Sequence, residues 1–86
     1  MIRLFYLDRK EDASGISGTG KVAEGVEFSN GVCVVQWLTH TSSTNIYQNM
    51  KQVESIHGHG GSTKIVIVRE FDDEMKPVRR RRKKES

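Results

Sequence analysis

An Asn-Gly dipeptide at residues 30 and 31 is the feature of this sequence that most constrains its fold. It separates two runs, KVAEGVEFS and VCVVQWLT, in which apolar residues recur at every second position. Such alternation is typical of β-strands, and Asn-Gly readily adopts the positive φ angles of a type I′ turn. The segment 21–39 therefore predicts a β-hairpin. The residues expected to share one face of its first strand are Val22, Val26 and Phe28.

Four further segments complete the predicted secondary structure. Residues 2–7, 45–48 and 63–70 are predicted as strands, and residues 49–56 as about two turns of helix with Met50, Val53 and Ile56 on one face. The pattern indicates an all-β, mostly antiparallel fold. Two architectures remain open: a small SH3-like barrel, whose closure removes exposed strand edges, and a five-stranded meander with one short helix before the last strand.

The charge divides the chain into two parts. Residues 1–75 hold seven basic and ten acidic residues, whereas residues 76–86 hold seven basic residues and one glutamate. We therefore predict a small β domain over residues 1–71 and a charged, disordered tail over residues 72–86. The cations of its basic cluster are Arg79, Arg80, Arg81, Arg82, Lys83 and Lys84.

The cysteine content and the apolar segments indicate where the protein works. Cys33 is the one cysteine, which excludes an internal disulfide and favours a reducing compartment. It lies in an apolar run, so we expect it to pack in the core. The apolar stretch near the N-terminus is too short for a signal peptide or a membrane span. We expect a cytoplasmic protein without a membrane partner.

Enzymatic motifs are weak in this chain. Residues 15–21, GISGTGK, match the start of a phosphate-binding P-loop, but the next residue is Val22 instead of Ser or Thr, and a strand pattern follows where the motif requires a helix. The serines near His40, His57 and His59 lack the context of an activated nucleophile. We therefore predict that the protein is not an enzyme and has no cofactor.

The stretch HGHGGSTK, residues 57–64, is the candidate ligand loop. His57 and His59 supply two imidazoles, which is too few for a metal site. Three interpretations stay open: a simple glycine-rich turn, a metal site completed by distant residues, and a loop whose amides, together with Lys64, receive a phosphate or carboxylate.

The aromatic residues Trp37 and Tyr47 provide a second candidate surface. By alternation, Trp37 groups with Cys33 and Val35 and lies on the opposite face from Val34. Either the indole is covered by neighbouring chain, or it forms an exposed platform with Tyr47 that binds a protein.

Several motifs also resemble a known family. The runs SGTGKVAEGVEFSNG, SSTNIY and HGHGG are similar to the SGTG-x-VAEG-x-x-FS-x-G, SST-x-x-Y and HGH-x-G motifs of small proteins from bacteria, especially actinobacteria, and from phages. The resemblance covers roughly residues 14–64. It implies a stand-alone, phage-borne cytoplasmic protein and assigns no activity.

Together these features favour a non-enzymatic binding module that associates with RNA or DNA. The basic tail would supply affinity, and Lys64, His57 and His59 would contribute at the loop. One alternative is a phage-encoded inhibitor or adaptor that contacts a host enzyme through Trp37 and Tyr47. A third hypothesis is a binder of a small anionic metabolite that uses both glycine-rich loops.

Overall fold

The computed structural model describes residues 1–10, 19–38, 42–57 and 63–78, with the backbone alone at residues 56 and 57. These residues form five strands and one helix. In chain order the elements are β1 (Ile2–Arg9), β2 (Gly20–Glu27), β3 (Cys33–Trp37), β4 (Thr44–Tyr47), α1 (Met50–His57) and β5 (Thr63–Phe71). The predicted strands and the predicted helix before the last strand are confirmed, with boundaries that differ by one or two residues.

The five strands form one antiparallel sheet in the order β4-β3-β2-β1-β5. The first four follow one another as a meander, and the chain then crosses the sheet through α1 to place β5 beside β1. Among the described residues, β4 and β5 are edge strands that do not pair with each other. The mostly antiparallel open sheet is confirmed and the SH3-like barrel is wrong, because closure requires hydrogen bonds between the two edge strands.

The predicted hairpin is confirmed, but its turn differs from the expected type I′. The Gly31 amide donates to the Phe28 carbonyl at 2.9 Å, and the Phe28 amide donates to the Val32 carbonyl at 2.8 Å. Gly31 has φ of 95°, whereas Asn30 is not among the described residues with positive φ. The connection is a three-residue loop that ends in a left-handed glycine. Asn30 stabilises it by accepting the Val32 amide on Oδ1 at 3.1 Å.

The core lies on the face of the sheet that α1 covers. Its fully buried residues are Phe5, Leu7, Val22, Ala23, Cys33, Val35 and Val53. The prediction that Val22 shares a face with Val26 is wrong, because a bulge between Leu7 and Asp8 interrupts the alternation of β2. Val22 is therefore buried, while Val26 pairs with Leu4 on the opposite face.

The helix begins at a capping arrangement that the sequence encodes locally. Asn49 accepts the Gln52 amide on Oδ1 at 2.9 Å, and Gln52 in turn accepts the Gln48 amide on Oε1 at 2.8 Å. These bonds satisfy amides that have no partner within the helix. Val53 then enters the core with Met50 packed at its border, which confirms the predicted apolar face at these two positions.

Residues 72–78 fold back onto the end of β5. The Asp72 carboxylate accepts the amides of Glu74 and Lys76 at 2.9 and 3.0 Å, which closes a tight turn. The Val78 amide then donates to the Glu70 carbonyl at 2.8 Å. The predicted disordered tail spans residues 72–86; residues 72–78 of it form this described turn, and residues 79–86, with the basic cluster, lie outside the described residues.

Candidate functional site

The end of the sheet where β1 stops is where both glycine-rich stretches of the sequence, 11–20 and 58–62, connect to strands. In the sheet register, Arg9 lies opposite Gly20 on β2 and opposite Thr63 on β5. The three strands therefore begin or end together. We call this region the loop end and define it by the described residues Arg9, Lys10, Gly20, Lys21, Trp37, Thr63 and Lys64.

Cations are concentrated at the loop end. Asp8 lies opposite Lys21 on β2 and opposite Lys64 on β5, so two lysines flank one carboxylate in a row across three strands. Residues directly opposite one another in such a row have Cβ atoms about 5 Å apart. Arg9 and Lys10 extend the positive charge beyond Asp8 along the chain. Four cations thus lie within one small region.

Two of these cations have carboxylate partners. The Lys10 Nζ lies 3.3 Å from Asp8 Oδ2, and the Lys21 Nζ lies 2.6 Å from Glu24 Oε2. Such exposed pairs contribute little to stability and leave the ammonium groups accessible. Within the part of the chain that the structure describes, neither Arg9 nor Lys64 forms an ion pair. Four cations against the two carboxylates Asp8 and Glu24 leave a net charge of +2 on the described residues of this region, although residues 1–75 as a whole are acidic. In the sequence, Glu11 and Asp12 follow Lys10 directly and lie outside the described residues.

Aromatic rings position two of the loop-end cations. The Arg9 guanidinium carbon lies 5.9 Å from the centre of the Trp37 ring, and the Lys21 Nζ lies 5.8 Å from the centre of the Tyr6 ring. Cation–π contacts at exposed sites contribute about 0.5 to 1 kcal/mol each. They limit the motion of both side chains and so reduce the entropy lost when a ligand binds.

Thr63 contributes a buried polar group to the loop end. Its side chain is 7% exposed, and its hydroxyl Oγ1 is buried without a hydrogen-bond partner among the described residues. An unsatisfied buried hydroxyl costs about 1 to 3 kcal/mol. Buried groups of this kind are rare in folded proteins, so we expect a hydrogen-bond partner outside the described residues, either from the chain itself or from a ligand.

The sequence-predicted ligand residues are described only in part. Lys64 is exposed at the loop end, as the ligand-loop hypothesis requires. His57 is the last residue of α1, and only its backbone is described. His59 and the basic cluster at residues 79–84 are not among the described residues. Sequence reasoning did not select Arg9 and Lys10, whereas Lys21 and Thr63 belong to the two glycine-rich stretches that it did select. The signal available in the sequence was the charged group that closes β1.

Trp37 and Tyr47 both lie on the helix-covered face, partly buried against the core. Tyr47 is directly opposite the buried Cys33. Burial raises the pKa of the Tyr47 phenol above its ordinary value. Both rings thus pack against the core and do not stand free of the sheet.

Cys33 is a core residue, as its apolar surroundings in the sequence predict. The side chain is fully buried, and burial, reinforced by the Glu27 carboxylate, raises the pKa of the thiol above its ordinary value. A thiol that keeps its proton is a poor nucleophile. Nearby, Arg3 donates from Nε to the Glu27 carboxylate, which raises the pKa of the guanidinium. Cys33 therefore has the environment of a structural residue.

Two kinds of feature are absent from the described residues. They contain no group of three or more His, Cys, Asp or Glu side chains arranged to hold a metal ion. Within the same residues, α1 is too short and too polar to cross a membrane.

Comparison with known proteins identifies the family. A sequence model described as "Acb5 phage protein" matches residues 2–69, which include β1 to β4, most of β5 and the loop end. The chain belongs to the Acb5 phage protein family. This agrees with the resemblance to small phage proteins that the sequence motifs indicate. No curated protein and no solved structure matches the chain.

Proposed function

We propose that this member of the Acb5 phage protein family binds phosphate groups of nucleic acid at the loop end of its sheet. The observation that carries the proposal is the grouping of Arg9, Lys10, Lys21 and Lys64 within one small region of an otherwise acidic domain. Lysine and arginine side chains that neutralise phosphates supply most of the affinity of proteins for nucleic acid without regard to sequence.

The basic tail adds to this proposal through its composition. Residues 79–84 are six consecutive cations, joined to the domain at Val78, which donates to Glu70 near the end of β5 opposite the loop end, about 24 Å from Thr63. A tethered cationic segment raises the affinity of a second site on the same protein for a ligand long enough to reach both. We propose that the loop end holds a short stretch of phosphates and that the tail neutralises phosphates further along the same nucleic acid.

A second candidate function is favoured by Thr63. Its buried hydroxyl lacks a partner among the described residues and lies opposite Arg9, where it suits one specific acceptor better than a long polymer. A free nucleotide whose phosphate reached this hydroxyl would meet Arg9 on the same face of the sheet, whereas Lys64, the next residue of β5, lies on the opposite face. This is the small-anion hypothesis restricted to a phosphorylated ligand.

The protein-binding alternative remains a proposal of its own. A phage origin is compatible with an inhibitor or adaptor of a host enzyme. In this alternative, Trp37 and Tyr47 would contact the host protein, although both rings are half-buried against the core.

Fluorescence anisotropy tests the leading proposal. A labelled single-stranded RNA, a DNA duplex and a labelled mononucleotide would be titrated with the full chain over a series of salt concentrations. Arg9→Ala and Lys64→Ala should each reduce the slope of log affinity against log salt by about 0.7 on single strands. Lys51→Ala is the matched control, since Lys51 is an exposed cation on α1 away from the loop end.

A further variant distinguishes the contribution of the tail to binding from that of the loop end. Replacing all six cations of residues 79–84 with serine should weaken nucleic-acid binding but leave mononucleotide binding unchanged. Binding that depends on the tail alone, with no effect of Arg9→Ala or Lys64→Ala, would refute the loop end as a site. Mass spectrometry of the ligand after incubation checks the prediction that the protein is not an enzyme, because a binder returns the ligand intact.

A further inference from the structure

The sheet has a second apolar face, opposite the one that α1 covers. Directly opposite residues form a row of aliphatic side chains across four strands: Ile46, Val34, Val26 and Leu4. Antiparallel sheets that leave one face to water normally carry polar residues there. The described residues provide no helix or strand to cover this row, so the alternation of the sheet leaves it accessible.

A second row adjoins the first. Phe28 and Val32 pair across the hairpin, and Ile2 lies beside them in the same shallow depression. Ile2 is also opposite Phe71 on β5, and Val68 lines a depression together with Leu4. We call the two rows the apolar patch. Its members are Ile2, Leu4, Val26, Phe28, Val32, Val34, Ile46, Val68 and Phe71.

Several members of the apolar patch are well exposed. The exposed fractions are 73% for Ile46, 59% for Val68, 43% for Phe28 and 39% for Leu4. Single exposed aliphatic residues are common, but a contiguous group across a whole sheet marks an interaction surface. We propose that the apolar patch is the interface of a homodimer in which two copies of the chain pack sheet against sheet.

The size of the face suits a second copy. At about 4.8 Å between strands and about 3.4 Å per residue, the strands cover about 550 Å² in projection. This area includes the polar rows of the face and is smaller than the roughly 800 Å² per partner of a standard interface, so the expected dimer is of the small, weakly associating class. The resulting dimer would have two sheets in its centre and one helix on each outer side. In this layered arrangement both apolar faces of each sheet are buried.

The charges also suit a second copy. Arg69 lies opposite Leu4 at the end of the aliphatic row, and the neighbouring rows of the same face carry Glu24, Asp8, Lys21 and Lys64. Cations and carboxylates thus occur together beside the patch, so each copy offers oppositely charged groups to the other. A twofold interface repeats the same surface on both partners, so a neutral apolar patch matches itself. The proposal does not depend on the function of the loop end, although Lys21 and Lys64 lie at the far end of the same face.

Sedimentation equilibrium of the full chain tests the dimer, at concentrations from about 1 μM to about 1 mM. We expect a monomer–dimer equilibrium. Leu4→Lys, in the centre of the aliphatic row, and Ile46→Lys, on the edge strand, should each weaken the dimer at least about tenfold, since they bury an ammonium group in the interface. The matched control is Met75→Lys, an apolar side chain that is 62% exposed on the 72–78 turn outside the patch. It should leave dimerisation unchanged.

Circular dichroism shows whether each variant retains the fold of the parent. Ile46 is the more exposed of the two positions, so its variant keeps the test valid if Leu4→Lys fails to fold. A chain that stays monomeric throughout the concentration series would overturn the proposal. A dimer that is indifferent to both substitutions would also overturn it, as would a monomer that binds a foreign protein through Leu4.

Discussion

The ring of Phe5 occupies the space above Gly25, its cross-strand partner on β2. A Cβ atom built at Gly25 would lie 2.3 Å from Phe5 Cζ, far inside van der Waals contact. The glycine is thus required by packing. Aromatic side chains that cover a glycine on a neighbouring strand also protect its backbone, which no side chain of its own would shield.

Gly25→Ala should therefore destabilise the protein by about 1 to 3 kcal/mol, the usual cost of overpacking a core. Urea unfolding followed by circular dichroism measures the loss. Phe5→Leu should remove the clash, so the double variant should lose less than the sum of the two single losses. Additive losses would show that Gly25 is needed for another reason.

Val53 should account for most of the attachment of α1. It is the one described residue of the helix that is fully buried in the core. Val53→Ala should cost about 2 kcal/mol in urea unfolding, because the helix loses buried methyl groups and leaves a cavity. Ser55→Ala, on the exposed side of α1, should change stability by less than about 0.5 kcal/mol. Equal effects of the two substitutions would mean that the helix is held by other residues.

Stability should fall at alkaline pH through Cys33. Burial raises the pKa of the thiol above its ordinary value of 9.0, so the folded protein retains a proton that the unfolded chain releases. The contribution is fully present below about pH 9 and is lost as the pH rises from there through the raised pKa. Cys33→Val removes this proton linkage with a side chain of similar size. Urea titrations from neutral to alkaline pH should show a shallower decline for the variant, and parallel declines would refute the linkage.

Thr63→Val should have opposite effects on stability and on binding. The free protein should gain about 1 kcal/mol in thermal or urea unfolding, because a buried hydroxyl without a partner among the described residues is replaced by a methyl group of the same shape. Nucleotide affinity should fall if the hydroxyl receives the ligand. Thr63→Ser retains the hydroxyl and is the control for affinity. If Thr63→Val is less stable than the parent, the Thr63 hydroxyl has a hydrogen-bond partner in a segment of the chain outside the described residues.

Local features of the sequence predicted most of the secondary structure. The alternation of apolar residues predicted the strands. The Asn-Gly dipeptide predicted the hairpin and hence the position of Cys33 within it. The sequence did not distinguish the open sheet from the SH3-like barrel, because the two differ in whether the edge strands pair. That pairing depends on contacts between segments that are distant in the sequence. The faces of β2 were partly misassigned, since a bulge moves Val22 into the core and no residue type signals a bulge reliably.

The loop end was harder to predict than the fold. Arg9, Lys21 and Lys64 are far apart in the sequence, and they meet only because β1 lies between β2 and β5. The glycine-rich segments around them were recognised from composition alone. What sequence reasoning lacked was the strand order, which decides which charged residues become neighbours.

The interior position of β1, between β2 and β5, also determines when the protein can fold during synthesis. β1 is the first strand made, yet one of its two neighbours is β5, whose last residue is Phe71. The ribosome must therefore release nearly the whole domain before the sheet can be completed, and contacts between such distant segments slow folding. Until then the nascent chain exposes the edge of β1 that later pairs with β5, and such an unpaired edge can be bound by chaperones or aggregate.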